Sequence, residues 1–150
     1  EETHKERVVR GLRELAPTAE FLDVTLALGS SLSAAENAEI VDAVDSEAVK
    51  LYYDAANKVA LYGFDAVEEI EVVGDHIVEY HVKDFHEPPP GFPENYAKLG
   101  DGAVDQQAVA DKLQEVGFDG WVVVETEIGK PLEYTEGELA YTKALFQDSR

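Results

Sequence analysis

The chain has 150 residues, 45% of them apolar, which suits one folded domain with a real core and not a disordered polymer. It has no cysteine, so disulfides, thiolate metal sites and a cysteine nucleophile are excluded. Thirty-two acids against twelve bases give a formal charge of −20, a surface that repels phosphate backbones and argues against nucleic acid as a partner.

Four of the bases, Lys5, Arg7, Arg10 and Arg13, fall in the first thirteen residues, and the remainder is more acidic still. This charge fits a protein of a salt-loving host and equally an ordinary acidic cytoplasmic protein. A cytoplasmic location is the expectation, since no signal peptide is visible. The first residue is not Met, so the start reads as a processed, trimmed or engineered end. No apolar run approaches about 18 residues, so no membrane span is expected.

Val8, Val9, Leu12 and Leu15 recur at helical spacing, predicting a helix over 5–15 that Pro17 ends. "VTLAL" (24–28) reads as a strand. Ser33 with Glu36 three residues later forms a capping box for a helix to about Val44. "VKLYYD" (49–54) is the next strand. Asp65 can cap a helix over "AVEEIEVV". In "IVEYHVKDF" (77–85), Glu79, His81 and Lys83 alternate with Val78, Tyr80 and Val82. Successive strand side chains point to opposite faces, so one face carries an acid, an imidazole and an amine. "HEPPPGFPENYAKLGDGAV" reads as a long loop, because three consecutive prolines forbid a helix. Asp105 caps a helix to about Val116, "WVVVE" (121–125) is a strand, and a last helix spans about Thr135 to Phe146.

Strands therefore alternate with helices four times, the order of a parallel sheet with right-handed crossovers. Each strand is apolar until its C-terminal end, where Asp54, His81 with Lys83, and Glu125 appear. Polar groups at the C-terminal ends of several parallel strands mark an α/β active site. Two carboxylates and one imidazole suit Mn²⁺, Mg²⁺ or Co²⁺, with Zn²⁺ a further candidate. Read singly, Asp54 is also a helix cap, His81 a hydrogen-bonded core histidine and Glu125 a solvated strand end. His4, His76 and His86 read as surface, and Tyr52, Tyr53 and Trp121 as core. The "LGDG" glycines shape the turn before Asp105 and are not a phosphate loop, which needs a Lys and a Ser/Thr.

"YYDAAN", "IVEYHVKDF", "KLGDGAVD" and "GFDGWVVVETE", in this order and spacing, resemble the xylose isomerase-like sugar phosphate isomerase/epimerase superfamily of (β/α)8 barrels. That superfamily includes ketose 3-epimerases, hydroxypyruvate isomerase and inosose dehydratase. The likeness runs from about residue 5 and covers the second half of such a barrel, its fifth to eighth strands. It implies one domain over 1–150, a half barrel of four parallel strands with helices on the outer side. It implies a divalent metal held by Asp54, His81 and Glu125, with Glu125 also catalytic. Lys83 and Asp84, matching the family's "HxKD", and Asn57 would contact a small-molecule sugar or sugar phosphate; Lys83 reads equally as a group that neutralises neighbouring carboxylates. The implied chemistry is proton transfer beside a carbonyl, through an enediolate, on a sugar or hydroxy-keto acid.

One position departs from the pattern. The fifth strand should end in Glu, and here "LALGS" places Gly29 there. Unless Glu36 or Glu127 moves in, one ligand and one acid/base group are missing. Weak metal binding and little or no isomerase activity are expected, and Gly29→Glu should tighten Mn²⁺ binding if the other ligands are intact. The rival reading is a catalytically inactive, truncated or engineered half-barrel scaffold that self-associates. Related metal-dependent endonucleases would need a richer histidine cluster than four residues provide. A half barrel leaves two sheet edges and inner apolar residues (Ala27, Leu51 or Tyr52, Val123) uncovered, which predicts a homodimer. Its two-fold axis would set the "VTLAL" edge of one copy beside the "WVVVE" edge of the other.

Overall fold

The computed structural model describes residues 2–86, 95–127 and 129–147. Helix α1 (His4–Leu22) opens on Thr3, whose hydroxyl accepts from the Glu6 N–H while the Glu6 carboxylate accepts from the Thr3 N–H. It runs seven residues beyond the predicted end, with Pro17 inside it. Proline in a helix interior forfeits a hydrogen bond and costs about 3 kcal/mol. Here Ala16 and Ala19 stay buried, and Ala16 joins Val44 and Val49 in a small core, so tertiary packing outweighs the local signal.

Strand β1 (Leu26–Leu28) leads to α2 (Ala34–Val44), which carries the predicted Ser33–Glu36 capping box. Strand β2 (Val49–Asp54) passes directly into α3 (Ala55–Tyr62), a helix the strand–helix reading omitted. Asp54 is its N-cap and Gly63, at φ 69°, its left-handed C-cap. Helix α4 (Ala66–Val73) follows, capped by Asp65 as predicted, and then β3 (Ile77–Val82).

A two-residue strand β4 (Asp84–Phe85) pairs antiparallel with β5 (Tyr96–Ala97) at the far end of the proline-rich segment. Residues 87–94, which include the three prolines, lie outside the described residues. Helix α5 (Gln106–Glu115), strand β6 (Trp121–Val124) and helix α6 (Leu132–Gln147) complete the chain.

Strands β1, β2, β3 and β6 form one sheet in that order, all neighbours parallel. This is an α/β half barrel with six helices among the described residues. Leu51, Tyr53, Tyr80 and Val82 point to the helix side and form the main core with Ile70, Val73 and Leu113. Leu51 is therefore buried, and Tyr52 is the β2 residue on the inner side. The inner side is open. A trough of about 720 Å³ there is lined by Val24, Thr25, Ala27, Val78, Glu79 and Trp121, among others. Trp121, expected in the core, is 78% exposed.

A buried ion pair locks the C-terminal side of the sheet to its helices. Lys58 on α3 lies 3.4 Å from Glu69 on α4 and also donates to the Leu32 carbonyl. Glu69 accepts from the Ala34 N–H at the start of α2, at 2.7 Å. No helix among the described residues is long and apolar enough to cross a membrane.

Candidate metal centre

Strand register gathers the candidate ligands. Asp54 stands level with His81, and His81 with Val123. The Glu125 N–H, two residues on, donates to the Val82 carbonyl and carries the ladder one step past β6. One ligand atom each from Asp54, His81 and Glu125 can be chosen so that all lie within 4.8 Å of one another. That separation is compatible with a single cation at ligand distances of about 2.0–2.6 Å after small side-chain adjustments.

Lys83 sits between Asp54 and Glu125 with its side chain only 5% exposed. Its ammonium lies 2.8 Å from Asp54 Oδ2 and 3.0 Å from both Glu125 oxygens. Burial pushes the Lys83 amine down, but the two carboxylates outweigh it and hold it above the ordinary lysine value. Burial likewise pushes Glu125 up, and Lys83, His81 and Tyr96 outweigh that, holding it below the ordinary carboxylate range. Both groups are charged at neutral pH. Lys83 is thus the built-in counter-ion of the acidic cluster.

The donor set fits a divalent cation. His81 Nε2 lies 2.7 Å from Glu79 Oε1, and Nδ1 lies 3.2 Å from Glu125 Oε2. A metal-bound histidine almost always donates its other N–H to such a partner. With Nε2–H on Glu79, Nδ1 is the ring nitrogen left facing Glu125 and the one that would hold a cation between them. Asp54 divides its work: Oδ1 caps α3 through the Asn57 N–H at 2.9 Å, and Oδ2 faces Lys83 and the Asn57 amide. Asp54 is thus the α3 cap and leaves Oδ2 as a candidate ligand atom.

The remaining candidates fall in different places. Asn57 donates to Asp54 Oδ2 at 2.6 Å, and its own Oδ1 is buried without a hydrogen-bond partner among the described residues. A pocket of about 220 Å³ beside it is lined by Gly29, Ser30, Tyr52, Asp54 and Tyr62, with Lys58. Asp84 is 1% exposed. Its oxygens accept from the N–H groups of Gly100, Gly102 and Val104 and its neighbour Phe85, so this carboxylate shapes the loop that the "LGDG" glycines form. Gly100 there has φ 87°, which favours glycine. Neither Glu36 nor Glu127 replaces the missing β1 carboxylate: Glu36 closes the α2 capping box and Glu127 pairs with Lys130.

Three further groups build the site. Glu79 holds His81, and its place two residues before it on the polar face was the available signal. The Tyr96 hydroxyl donates to Glu125 Oε1 at 3.2 Å from β5, a position with no sequence signal. Tyr52, expected in the core, stacks on His81 with ring centroids 4.7 Å apart. A Cβ built on Gly29 would lie 1.9 Å from Tyr52 Cζ, so Gly29→Glu by itself collides with this ring, contrary to the expectation of a simple gain.

The sequence profile described as "Xylose isomerase-like TIM barrel" matches residues 1–145. The chain belongs to this family. Within the xylose isomerase-like family it is 26% identical to an inosose dehydratase of Geobacillus kaustophilus, over 93% of the chain and 52% of that protein. A xylose isomerase domain protein from Planctomyces limnophilus superposes with a TM-score of 0.79 at 21% identity, covering 93% of this chain and 51% of that one. The IOLI protein, solved with a bound zinc atom, gives a TM-score of 0.72 at 29% identity, covering 96% and 55%. The chain thus spans about half the length of these relatives.

Proposed function

We propose that this chain carries a divalent-metal centre of the sugar isomerase/epimerase type, with Asp54, His81 and Glu125 as its ligands. The observation that carries the reading is the convergence of three donors from three parallel strands around one point, with Glu79 behind His81. The bound cation would polarise the oxygens of a sugar or hydroxy-keto acid, which is Lewis-acid chemistry. Glu125, ionised at neutral pH, holds or moves the proton on the carbon beside the carbonyl. Lys83 balances the carboxylates, and the Asn57 amide orients Asp54. Because β1 contributes no carboxylate, turnover is low: a positioned acid/base group is typically worth about 10²–10⁴ in rate. Proton exchange tests this. With Mn²⁺ in deuterium oxide, D-fructose should slowly gain deuterium beside its carbonyl, and Glu125→Gln should stop it. Exchange that survives E125Q would count against the assignment.

Self-association is a second proposal, favoured by one specific feature. Apolar side chains seven residues apart stand exposed on the two helices that flank the sheet edges: Leu15 and Leu22 on α1, Leu132 and Leu139 on α6. Beside them lie the unpaired edges of β1 and β6, with Val24 and Trp121 uncovered. A second copy, placed with β1 beside β6, would cover both stripes and wall off the open side of the metal centre. It would also bring the base-rich start of α1 near Glu133 and Glu136 at the start of α6. At −20 per chain, the dimer should need salt. A folded monomer by sedimentation at micromolar concentration in molar salt would end this proposal.

A further inference from the structure

Three of the four strands deliver a donor at their C-terminal ends, Asp54 from β2, His81 from β3 and Glu125 from just beyond β6. The fourth, β1, ends at Leu28 and is followed by Gly29. A side chain beginning at position 29 runs first into the Tyr52 ring. Its Cβ would lie 1.9 Å from Tyr52 Cζ, 2.1 Å from Cε1 and 2.2 Å from the hydroxyl oxygen. That ring is held in place, because it stacks on the His81 imidazole with an interplanar angle of 19°. Residue 52 precedes Asp54 by two positions on β2, and such residues share a face of the sheet. The ring therefore reaches across from β2 to the end of β1, on the side where the ligands gather.

We propose that Gly29 and Tyr52 are a reciprocal pair. Tyr52 fills the volume at the end of β1 from which a fourth ligand would reach the cluster, confines position 29 to glycine, and fixes the His81 ring by stacking on it. The cluster is then three-membered by construction, and Tyr52 is a positioning residue acting through His81. The consequence for metal rests on the centre proposed above: a cation here has three protein ligands, and restoring a carboxylate at position 29 requires removing the tyrosine as well.

Two measurements test the pair, one of them independent of metal. In chelator, thermal melts of the parent, Gly29→Ala, Tyr52→Ala and the double variant form a cycle. A Cβ at position 29 should lower the melting temperature by several degrees when Tyr52 is present. It should lower it little or not at all when residue 52 is Ala, because losing a glycine is itself neutral or mildly stabilising where the space is free. Equal losses in both backgrounds would overturn the pairing whether or not the protein binds metal. The second measurement is Mn²⁺ calorimetry on the parent, Gly29→Glu, Tyr52→Ala and G29E/Y52A. The expected result is no gain for G29E alone and at least tenfold tighter binding for the double variant than for the parent. Tenfold tightening by G29E alone, without loss of melting temperature, would overturn the proposal. If none of the four proteins binds Mn²⁺, the metal-centre reading fails, and the pair stands or falls on the melting cycle.

Discussion

Replacing Lys83 with Met removes the counter-ion and keeps the bulk of the side chain. The ammonium faces Asp54 Oδ2 at 2.8 Å and Glu125 at 3.0 Å. At an effective dielectric constant of about 20, a contact of about 3 Å is worth roughly 5–6 kcal/mol of Coulomb energy, most of it cancelled by desolvation. Removing one partner of a buried pair costs about 3–5 kcal/mol, because the other charge is left uncompensated. Asp54, whose side chain is 8% exposed, feels that penalty. Glu125, at 37%, is partly in water, and its share is discounted to about 1 kcal/mol or less. Lys83→Met should therefore lose about 3 kcal/mol in urea unfolding with chelator present. Mn²⁺ then enters a site with no competing ammonium. At a hundredfold excess over its dissociation constant a ligand stabilises by about 2.7 kcal/mol, so metal should recover most of the loss. Stability within about 0.5 kcal/mol of the parent in chelator would refute the counter-ion role. Equal stabilisation of parent and variant at each Mn²⁺ concentration would refute the competition.

Two other perturbations probe the scaffold. Lys58→Met strands Glu69 in the interior, where its Oε2 already lacks a hydrogen bond among the described residues, and should cost about 3 kcal/mol by urea titration. Ser33→Ala removes the α2 cap and should cost about 0.5–2 kcal/mol. The Ser33 hydroxyl and then its backbone N–H hold Glu36 below the ordinary carboxylate range. A depressed carboxylate stabilises above its unfolded pKa, about 4.3, and the contribution disappears as pH falls through the lower folded value. Glu36→Gln should therefore flatten the acid limb of stability between about pH 5 and 3.

The parts of the fold that the sequence foretold are those with local signatures. Capping groups at Ser33, Asp65 and Asp105 each mark a helix start, and the apolar runs ending in Asp54, His81 and Glu125 mark three of the four sheet strands. Pro17 misled because its cost is local while the packing of Ala16 and Ala19 is tertiary. Helix α3 is legible only in part: Asp54 reads as a cap from the sequence, but the eight residues between it and Gly63 are too short a stretch for helical periodicity to stand out. The contacts that complete the site were not legible. Tyr52 over Gly29, Tyr96 on Glu125 and the Asp84 carboxylate inside its loop join residues 16 to 29 positions apart, through register and side-chain reach that no spacing encodes. Lys83 reads from the sequence equally as a counter-ion and as a substrate contact; its burial between two carboxylates, which depends on β2 and β6 arriving on either side of β3, favours the counter-ion.

Mn²⁺ calorimetry on the parent and on His81→Ala tests the central claim most directly. His81 is half-buried and is not a helix cap, so its removal should leave the fold standing while taking one of three donors. The account predicts one Mn²⁺ per chain in the parent and binding at least tenfold weaker in the variant. No binding by the folded parent, or equal affinity in both proteins, would contradict it.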